Sequence, residues 1–411
     1  MNSIVSNPTG GLNFLLALLC VLCGQSLFAQ EWKPVHDGVE YAHVEHKLGS
    51  DPVKINLLRL DLRKVRLDVH HALDKAIGLE TTSLIAKRKG AVAAINSGFF
   101  RLDTSIFAGD SAGVLAIDGK LLSESSNGRT TMFIKDRQPQ QTIIFRPVDL
   151  GSEIQLFGQS FVQSLGLSGI NRERKADEMI IYTPEFHRTT LTDDDGLEII
   201  VQHNTIIDIR DAKGSSVIPE SGFVISASGK RRTEALPFAR SGRKIYQNYT
   251  TSYPLGSSKD PHSNGRQPGA FMIGDDIVSG VPQLIKDGKI DITWEQEKAS
   301  RSFVETRHPR TAVAKLKDGK FLMITVDGRQ PGVSVGMSLQ ELAEYLLSLG
   351  AVDAMNLDGG GSTTMFLDGK VVNTPSDKEG ERKIGDAIVV TLRNSRKPAM
   401  QNPGMQKPAR K

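Results

Sequence analysis

Short strands separated by turns dominate the pattern of apolar and polar positions along the 411-residue chain. Segments such as 54–73 (KINLLRLDLRKVRLDVHHAL) and 196–211 (GLEIIVQHNTIIDIRD) alternate or cluster β-branched residues and leucines over strand lengths. The chain also holds 39 glycines and 18 prolines, residue types that favour turns. The pattern therefore predicts a scaffold that is mostly β.

Asp-Gly-Lys occurs four times, each time between apolar stretches. Asp-Gly suits the two positive-φ positions of a tight hairpin turn. We interpret all four copies as structural turns, and they begin at Asp118, Asp287, Asp318 and Asp368. Any Asp-Gly pair with a functional role must differ from these four in its surroundings.

One segment departs from the β pattern. Residues 320–363 predict a strand, a loop, a helix, a second strand and a second loop, and Ser338 with Glu341 forms the signature of a helix capping box. Such a unit normally joins two parallel strands by a right-handed crossover. Asp327 and Asp358 then follow the carboxyl ends of those strands, at the sheet edge where open α/β folds bind ligands. We predict a mixed α/β fold, a mostly β scaffold whose parallel strand-helix-strand unit carries the site.

The loop after the second of these strands is rich in glycine. Glycine tolerates positive φ and a close approach to a ligand, so successive N–H groups could point at an anion, and neighbouring hydroxyls could donate as well. The loop lacks the Gly-Lys-Ser/Thr of a Walker motif, and a structural bulge at a corner of the sheet would use the same residue types. The residues concerned are Gly359, Gly360, Gly361, Ser362 and Thr363.

Two further motifs place polar groups beside predicted strands. Residues 307–311 (RHPRT) gather a histidine, two arginines and a hydroxyl into five positions. Arginine suits bidentate phosphate binding and His308 can exchange a proton near neutral pH, although a solvated basic turn has the same composition. Asn96 and Gly98 follow another buried-looking strand, where the asparagine is either a ligand contact or a turn former.

Composition limits the classes of protein that the chain can represent. With 39% hydrophobic and 24% charged residues it is an ordinary globular protein with material for a sizeable core. The formal net charge is only +4, and part of it lies in residues 394–411, which lack aromatic and β-branched side chains. We predict that these residues form a disordered basic tail and that the protein does not bind nucleic acid.

The amino-terminal segment predicts export. Residues 12–23 (LNFLLALLCVLC) form an apolar run with the length of a signal-peptide core, and no acidic or basic residue precedes Glu31. We expect residues 1–30 to be a cleaved signal, so that the mature protein is secreted or periplasmic and has no stable membrane span. Both cysteines, Cys20 and Cys23, lie in this segment, which would leave the mature chain without thiol chemistry.

Four of these motifs together resemble a known family. AAINSGFF, RHPRTAVA, ITVDGR and MNLDGGGSTTM, in this order and followed by PSDKEGERKIGDAIVV, are similar to the motifs of the phosphodiester glycosidases. The resemblance runs from about residue 90 to residue 393, with residues 31–89 as a β-rich lead-in packed on that domain. It implies hydrolysis of a phosphoglycan or another sugar-1-phosphodiester, often of N-acetylglucosamine, to free sugar and a phosphomonoester.

The resemblance also implies roles for individual residues. Asp327, Asp358 and His308 are the expected catalytic residues, without a division of duties between the two aspartates. Expulsion of a phosphomonoester needs cations and N–H donors on phosphate, and a carboxylate to activate water or to stabilise an oxocarbenium-like centre. The expected substrate contacts are Asn96, Gly98, Arg310, Thr311, Arg329, Gly359, Gly360, Gly361, Ser362 and Thr363.

Two other functions stay open at the level of sequence. A metal-dependent phosphodiesterase would use Asp327, Asp358 and Asn96 as oxygen ligands for a divalent cation such as calcium or magnesium. A non-catalytic envelope protein that binds glycans could use the same scaffold. The sequence implies no certain cofactor and leaves a divalent cation, calcium or magnesium, open. It shows fewer clustered His and Asp residues than a dedicated two-metal site usually has, and a chelator test would separate the first alternative from the glycosidase.

Overall fold

The computed structural model describes residues 30–124, 127–135, 140–157, 162–252, 267–268 and 275–393. Residues 1–29 of the predicted signal and the predicted tail at 394–411 lie outside these ranges. From Trp32 onward the described residues belong to one compact unit. No helix in this part of the chain combines the length and the apolar character of a membrane span.

Strands are the main elements of the described chain, as the alternating pattern predicts. The first fourteen are β1 (Lys33–His36), β2 (Val39–Leu48), β3 (Asp51–Leu60), β4 (Val65–His71), β5 (Glu80–Thr81), β6 (Ala93–Asn96), β7 (Leu115–Ile117), β8 (Lys120–Ser123), β9 (Thr130–Lys135), β10 (Thr142–Pro147), β11 (Asp149–Phe157), β12 (Val162–Gly166), β13 (Gly169–Ile170) and β14 (Met179–Tyr182).

The remaining described strands follow in chain order. They are β15 (Gly196–Gln202), β16 (Thr205–Asp211), β17 (Gly222–Ser228), β18 (Lys244–Ser252), β19 (Gln267–Pro268), β20 (Asp275–Ser279), β21 (Gln283–Lys286), β22 (Lys289–Ile290), β23 (Arg310–Leu316), β24 (Phe321–Val326), β25 (Ala351–Asn356), β26 (Met365–Leu367), β27 (Lys370–Val371), β28 (Lys383–Ile384) and β29 (Asp386–Leu392).

The described helices are short and lie between these strands. The α-helices are α1 (Thr82–Arg88), α2 (Gly229–Ala235), α3 (Arg301–Glu305) and α4 (Leu339–Ser348), and 3-10 turns span Ala72–Asp74, Leu236–Phe238 and Gly360–Ser362. The capping box predicted for α4 is confirmed, because the Ser338 hydroxyl accepts from the Glu341 N–H and the Glu341 carboxylate accepts from the Ser338 N–H.

An eight-stranded sheet carries the strand-helix-strand unit, in the order β1-β2-β3-β24-β23-β25-β21-β22. The strands β24 and β25 run in the same direction, but they do not pair, because β23 lies between them and is antiparallel to both. The reason is local: the Asp318 turn folds β23 against β24 before α4 begins. The mostly β scaffold is confirmed, whereas a parallel pairing of β24 with β25 is not formed.

The lead-in supplies strands to this same sheet. β3 pairs with β24 over six residue pairs, from Leu60 opposite Phe321 to Ile55 opposite Val326. One face of the sheet packs on α4 through leucines and Ile324. The other face packs on a five-stranded sheet of order β27-β26-β6-β29-β4, with Ile95 and Ile388 in the shared core. Asn96, at the end of β6, is thereby brought beside the sheet that carries Asp358.

Two further sheets extend the fold. A nine-stranded sheet contains β11 to β19. Eight of its strands follow the order β12-β11-β18-β16-β15-β17-β14-β13, and β19 pairs with β18. A five-stranded sheet, β10-β9-β20-β7-β8, lies between two cores. Successive residues on its strands alternate between them, so that Met132 joins the core around β24 and Phe133 joins the core of the nine-stranded sheet. A short pair of β28 with β5 completes the described sheets.

The four Asp-Gly-Lys segments form the predicted hairpin turns. They connect β7 to β8, β21 to β22, β23 to β24 and β26 to β27. Asp118, Asp287 and Asp368 have φ of 50°, 49° and 47°, as a tight hairpin requires. At the fourth turn, the Asp318 carboxylate instead accepts from the Lys320 N–H. All four are structural, so this prediction is confirmed.

Candidate active site

A cavity of about 260 Å³ opens where β23 and β25 meet the glycine loop. It is lined by Phe303, His308, Arg310, Arg329, Asp358, Gly359, Gly360, Gly361 and Arg382. Seven of these nine residues come from the predicted site, although their segments are far apart in the chain. The lining combines cationic groups with one carboxylate.

The peptide of Asp358 is held from both sides by the turn that follows β6. Its N–H donates to the Ser97 carbonyl at 2.9 Å, and its carbonyl accepts from the Asn96 side-chain amide at 2.6 Å. The Asn96 side-chain oxygen accepts in turn from the Thr311 hydroxyl at 2.8 Å and from the Thr364 N–H at 3.0 Å. Asn96 and Thr311 are fully buried and lie behind the cavity, where they position the aspartate.

The Asp358 carboxyl is partly buried in this setting. Burial raises its pKa to about 7, while the Ser362 hydroxyl, the Gly359 N–H and the charge of Arg382 act in the opposite direction. The charge of Asp386, buried below the turn, adds to the rise. The carboxyl can therefore gain or lose a proton near neutral pH, which is the range in which acid–base catalysis is most effective.

Arg310 supplies a buried cation at the start of β23. Its Nε donates to the Met337 carbonyl, and its Nη2 donates to the carbonyls of Phe303 and Thr306, each at 2.8 Å. Its Nη1 is buried and has no hydrogen-bond partner among the described residues. Burial, together with Arg329, lowers the pKa of Arg310 to about 10, so the guanidinium remains charged at neutral pH.

Two other guanidinium groups lie against the glycine loop. A side chain at Gly360 would approach Arg329 Nη2 to 3.1 Å, and one at Gly361 would clash with Arg382 and Asp377. Arg382 pairs with Asp377, with Nε 2.7 Å from Oδ2. The missing side chains of these two glycines therefore make room for arginines.

The same loop uses most of its N–H groups internally. Gly359 donates to the Asp358 carboxylate, Gly360 to the Pro309 carbonyl, and Ser362 and Thr363 to the carbonyls of the first two glycines. A cradle of successive N–H groups for an anion, as expected from the glycine run, is thus not available over these positions. Positive charge at the cavity comes instead from the arginines.

Pro309 is the point around which both aspartate loops pack. A Cβ atom at Gly328 would lie 2.8 Å from the Pro309 nitrogen, and one at Gly359 would lie 2.7 Å from the Pro309 carbonyl oxygen. Only glycine fits such distances at either position. The close packing brings His308 and Arg310, on either side of Pro309, into the cavity.

His308 lies between two of the cations. Its Nδ1 is 3.5 Å from Arg329 Nη2, and its backbone pairs with Met337. Burial, Arg310 and Arg329 all lower the pKa of the imidazole below its ordinary value. His308 is therefore neutral at physiological pH, when it can donate from one ring nitrogen and accept at the other.

Asp327 lies outside the cavity lining, in contrast to the expected catalytic pair. It is 1% exposed, and its carboxylate accepts from the Asn373 side chain at 3.1 Å and from the Thr374 N–H at 3.0 Å. Burial raises its pKa despite these bonds. The position of Asp327 suits an anchor for the segment at 373–374.

Three other expected contacts are also removed from the cavity lining. Gly98 donates its N–H to the Asp386 carboxylate at 2.6 Å, and Ser362 and Thr363 are at most 1% exposed. Of the expected contacts, Arg310, Arg329 and the three glycines line the cavity directly.

The chain is similar to known proteins over part of its length. Residues 195–391 match the model of the phosphodiester glycosidase family. Within these residues the chain is therefore similar to a phosphodiester glycosidase domain. Over 110 residues it is 38% identical to the N-acetylglucosamine-1-phosphodiester alpha-N-acetylglucosaminidases of Bos taurus and Homo sapiens. The match covers 25% of this chain and 20% and 21% of those proteins, so this chain spans about a fifth of their length.

Two crystal structures share the fold. A hypothetical protein from Synechocystis superposes with a TM-score of 0.71 at 21% identity, over 89% of this chain and 64% of that one. A protein from Burkholderia pseudomallei, named there as a predicted exported protein, gives 0.69 at 22% identity, over 83% and 74% of the two chains. The arrangement of sheets is therefore found in other proteins of low sequence identity.

Two residues of the cavity lining escaped prediction from sequence. Arg382 lies in PSDKEGERKIGD, which contributed to the family resemblance, but nothing in that segment singles out this arginine from its charged neighbours. Phe303, on α3, places its ring 5.0 Å from the Arg310 guanidinium. It stands four residues before Arg307 in a segment with no aromatic pattern, so only the fold brings it to the cavity.

The residues present do not suit a calcium or magnesium ion. Such ions prefer six or more oxygen ligands, yet the Asn96 oxygen is engaged by Thr311 and Thr364, and Asp327 is bonded elsewhere. Three guanidinium groups also line the cavity around Asp358 and would repel a cation. Among the described residues, no group of three or more histidine, cysteine, aspartate or glutamate side chains is arranged to hold a metal ion.

Proposed function

We propose that the protein is an exported glycosidase that hydrolyses sugar-1-phosphodiesters, with N-acetylglucosamine-1-phospho linkages as the substrate class. The observation that carries the proposal is the pairing of one titratable carboxyl, Asp358, with three guanidinium groups in one cavity. A sugar-1-phosphodiester has two groups that such a site can bind, a phosphate and a sugar. Its anionic phosphate suits the arginines, and its sugar carbon is the electrophile for which a carboxylate is needed.

The cations act on the leaving group. Cleavage of the sugar–oxygen bond leaves the electron pair on a phosphate oxygen, so positive charge fixed around that oxygen stabilises the transition state. Arg329 is exposed at the cavity and Arg310 has a buried N–H group without a partner among the described residues. Neutral His308 adds a hydrogen-bond donor. A strong general acid is then unnecessary, because a phosphomonoester is already a fair leaving group.

Asp358 takes the carboxylate role in this proposal. It is the one carboxylate that lines the cavity in the described part of the chain, and its pKa of about 7 makes the ionised form dominant above neutral pH. It would attack the sugar carbon itself or remove a proton from the attacking water, and either role needs the ionised form. Asn96 and Thr311 would act through Asp358, by fixing its peptide.

The sugar is proposed from the relatives. The mammalian proteins that share 38% identity with this chain over 110 residues are named for action on N-acetylglucosamine-1-phosphodiesters. Export is proposed from the apolar run at residues 12–23 and from the name of the Burkholderia protein. Cell fractionation with amino-terminal sequencing would test export, and a mature chain that starts near residue 31 is the expected result.

Isotope labelling tests the reaction. The protein is incubated with N-acetylglucosamine-1-phospho-methyl-mannoside in oxygen-18 water, beside the Asp358→Asn variant, and the products are analysed by mass spectrometry. Label in free N-acetylglucosamine, lost in the variant, is expected because water adds to the sugar carbon. Label in the phosphate would instead indicate a metal-dependent phosphodiesterase, and turnover that a chelator abolishes would agree with it. Substrate binding without any product would indicate an envelope glycan-binding protein.

A further inference from the structure

The net positive charge of the cavity depends on the protonation state of Asp358. In the described part of the chain, Arg310 and Arg329 have no carboxylate partner, while Arg382 pairs with Asp377. We count the charged groups of the cavity lining together with Asp377, the partner of Arg382. Asp386 is left out of this count because it is buried behind the turn, where it accepts from the Gly98 N–H, and does not line the cavity. With Asp358 ionised and His308 neutral, three cations then face two carboxylates, which leaves one net positive charge. With Asp358 protonated, the excess is two.

These two values match the charges before and after hydrolysis. A phosphodiester carries one negative charge, whereas a phosphomonoester carries two above its second pKa of about 6. Resting on the proposed function, we infer that the cavity binds the phosphomonoester product as a dianion with Asp358 protonated, so that product binding is coupled to uptake of one proton. The net charge of the cavity would then equal and oppose that of its ligand in both complexes, one charge with the substrate and two with the product.

The proton has a defined source during turnover. The bond between the sugar carbon and the phosphate oxygen breaks, and its electron pair stays on the phosphate. The water oxygen becomes the sugar hydroxyl with one of the water hydrogens, and the other hydrogen leaves as a proton. Because the monoester is a dianion, it does not take this proton, and Asp358 does. Charge and atoms balance without any further reactant.

The groups around Asp358 favour it over His308 as the proton carrier. Asp358 faces Arg382, the Ser362 hydroxyl and the Gly359 N–H, with Asp386 below, and burial already raises its pKa to about 7. A dianion bound in the same cavity raises the pKa of Asp358 further, because it repels the ionised carboxylate. His308 lies between Arg310 and Arg329, which both oppose a positive charge on the imidazole.

Calorimetry with small analogues tests the inference without turnover. Methyl phosphate stands for the product and dimethyl phosphate for the substrate, and binding is measured at pH 8 in buffers of different ionisation enthalpy. At this pH methyl phosphate is already a dianion, so any proton taken up belongs to the protein. We expect uptake approaching one proton with methyl phosphate and none with dimethyl phosphate. The dianion should also bind about tenfold more tightly, from one additional charge interaction.

Variants assign the proton and the cations. Asp358→Asn mimics the protonated carboxyl, so it should bind methyl phosphate at least as tightly as the wild type and without proton uptake. Arg329→Gln should weaken the binding of methyl phosphate about tenfold. Arg301→Gln is the matched control, because Arg301 is exposed on α3 and pairs with Glu305. It should leave both affinity and proton uptake unchanged.

Several results would overturn the inference. Equal affinity for the two phosphates, or binding of methyl phosphate without proton uptake, would contradict the charge matching. Proton uptake that persists in Asp358→Asn and disappears in His308→Gln would assign the proton to the histidine instead. Neither result bears on the labelling experiment, since oxygen-18 in the free sugar would still establish the glycosidase. Conversely, proton-coupled binding with no turnover would leave the inference intact and refute the proposed function.

Discussion

Asp327 and Asp358 begin as equivalent residues and end in different surroundings. Each follows a strand of the eight-stranded sheet, the two strands run in the same direction, and each aspartate precedes a glycine that packs on Pro309. Asp358 lines the cavity beside three arginines, whereas Asp327 is 1% exposed and bonded to Asn373 and Thr374. Location at the functional edge of a sheet therefore does not by itself make a carboxylate available to a ligand.

The difference comes from what each carboxylate meets beyond its own loop. The Asp327 carboxylate accepts from Asn373 and Thr374, in the segment that leads to Arg382, and does not line the cavity. The backbone of Asp358 bonds to the Ser97 carbonyl and to the Asn96 side-chain amide. These bonds do not use its carboxyl, which lines the cavity and can titrate there. One aspartate is thus suited to stability and the other to chemistry.

Replacing each carboxyl by an amide should give the largest effect on kcat, and it tests whether one or both of the aspartates are catalytic. Asp358→Asn should lower kcat by about 10³-fold, because an amide neither attacks carbon nor accepts a proton. Asp327→Asn should lower kcat by about tenfold or less, since the reacting groups stay in place. Release of free sugar from the diester measures both. Comparable losses of kcat in the two variants would instead indicate that both aspartates are catalytic, as expected from the sequence.

Removal of a cavity cation should have the next largest effect. Arg329→Gln keeps the size and hydrogen bonding of the side chain but deletes a charge opposite the leaving phosphate. We expect kcat/KM to fall about 10²-fold, the range seen when one stabilising donor is removed from an active site. Arg301→Gln serves as the control, and a loss of the same size there would mean that overall charge, and not the cavity, is responsible.

The anchoring role of Asp327 predicts a loss of stability. Asp327→Ala leaves the Thr374 N–H without its acceptor and removes one of the two acceptors of the buried Asn373 amide, which keeps the Thr363 carbonyl. We expect a cost of about 2 kcal/mol in the free energy of unfolding. Urea denaturation measures this cost. Asp318→Ala, in an exposed hairpin turn that also bonds a backbone N–H, should change stability much less. An unchanged unfolding midpoint for Asp327→Ala would argue against the anchor.

A methyl group on the glycine loop should give the smallest effect. Gly361→Ala places a Cβ atom against the ends of the Arg382 and Asp377 side chains, which can move but only by shifting the cation. We expect kcat/KM to fall about tenfold with little change in stability, because a small misplacement of a catalytic charge suffices for such a loss. Gly166→Ala is the control, since a Cβ atom there meets nothing within 4 Å. Full activity in Gly361→Ala would indicate that the position of Arg382 does not matter for catalysis.

Several features followed from sequence because they depend on neighbouring residues. The Asp-Gly turns form from the conformational preferences of two adjacent positions, and the capping box of α4 joins Ser338 to Glu341 across one helical turn. The alternating pattern likewise predicted the β scaffold, because side chains of a strand point to opposite faces. The family motifs located Arg310, Arg329 and the three glycines that line the cavity.

Other features depend on chain segments that are distant in sequence. Asn96 reaches the Asp358 carbonyl across 262 residues, and that contact turns an expected ligand into a buried support. Arg382 has no local pattern that marks it, and it becomes a cavity residue only because Gly361 leaves space for its guanidinium. The pairing of β23 between β24 and β25 was likewise decided by the hairpin that precedes α4.

The sequence alone determined the β scaffold, the turns and most of the polar residues that line the cavity, with Arg382 as the exception. The tertiary structure alone decided which of two similar aspartates faces the cavity and which arginines surround it. The physical reason is that turn geometry and helix capping arise from interactions within a few residues. The burial and pKa of a carboxyl depend on every strand and loop that the fold packs against it.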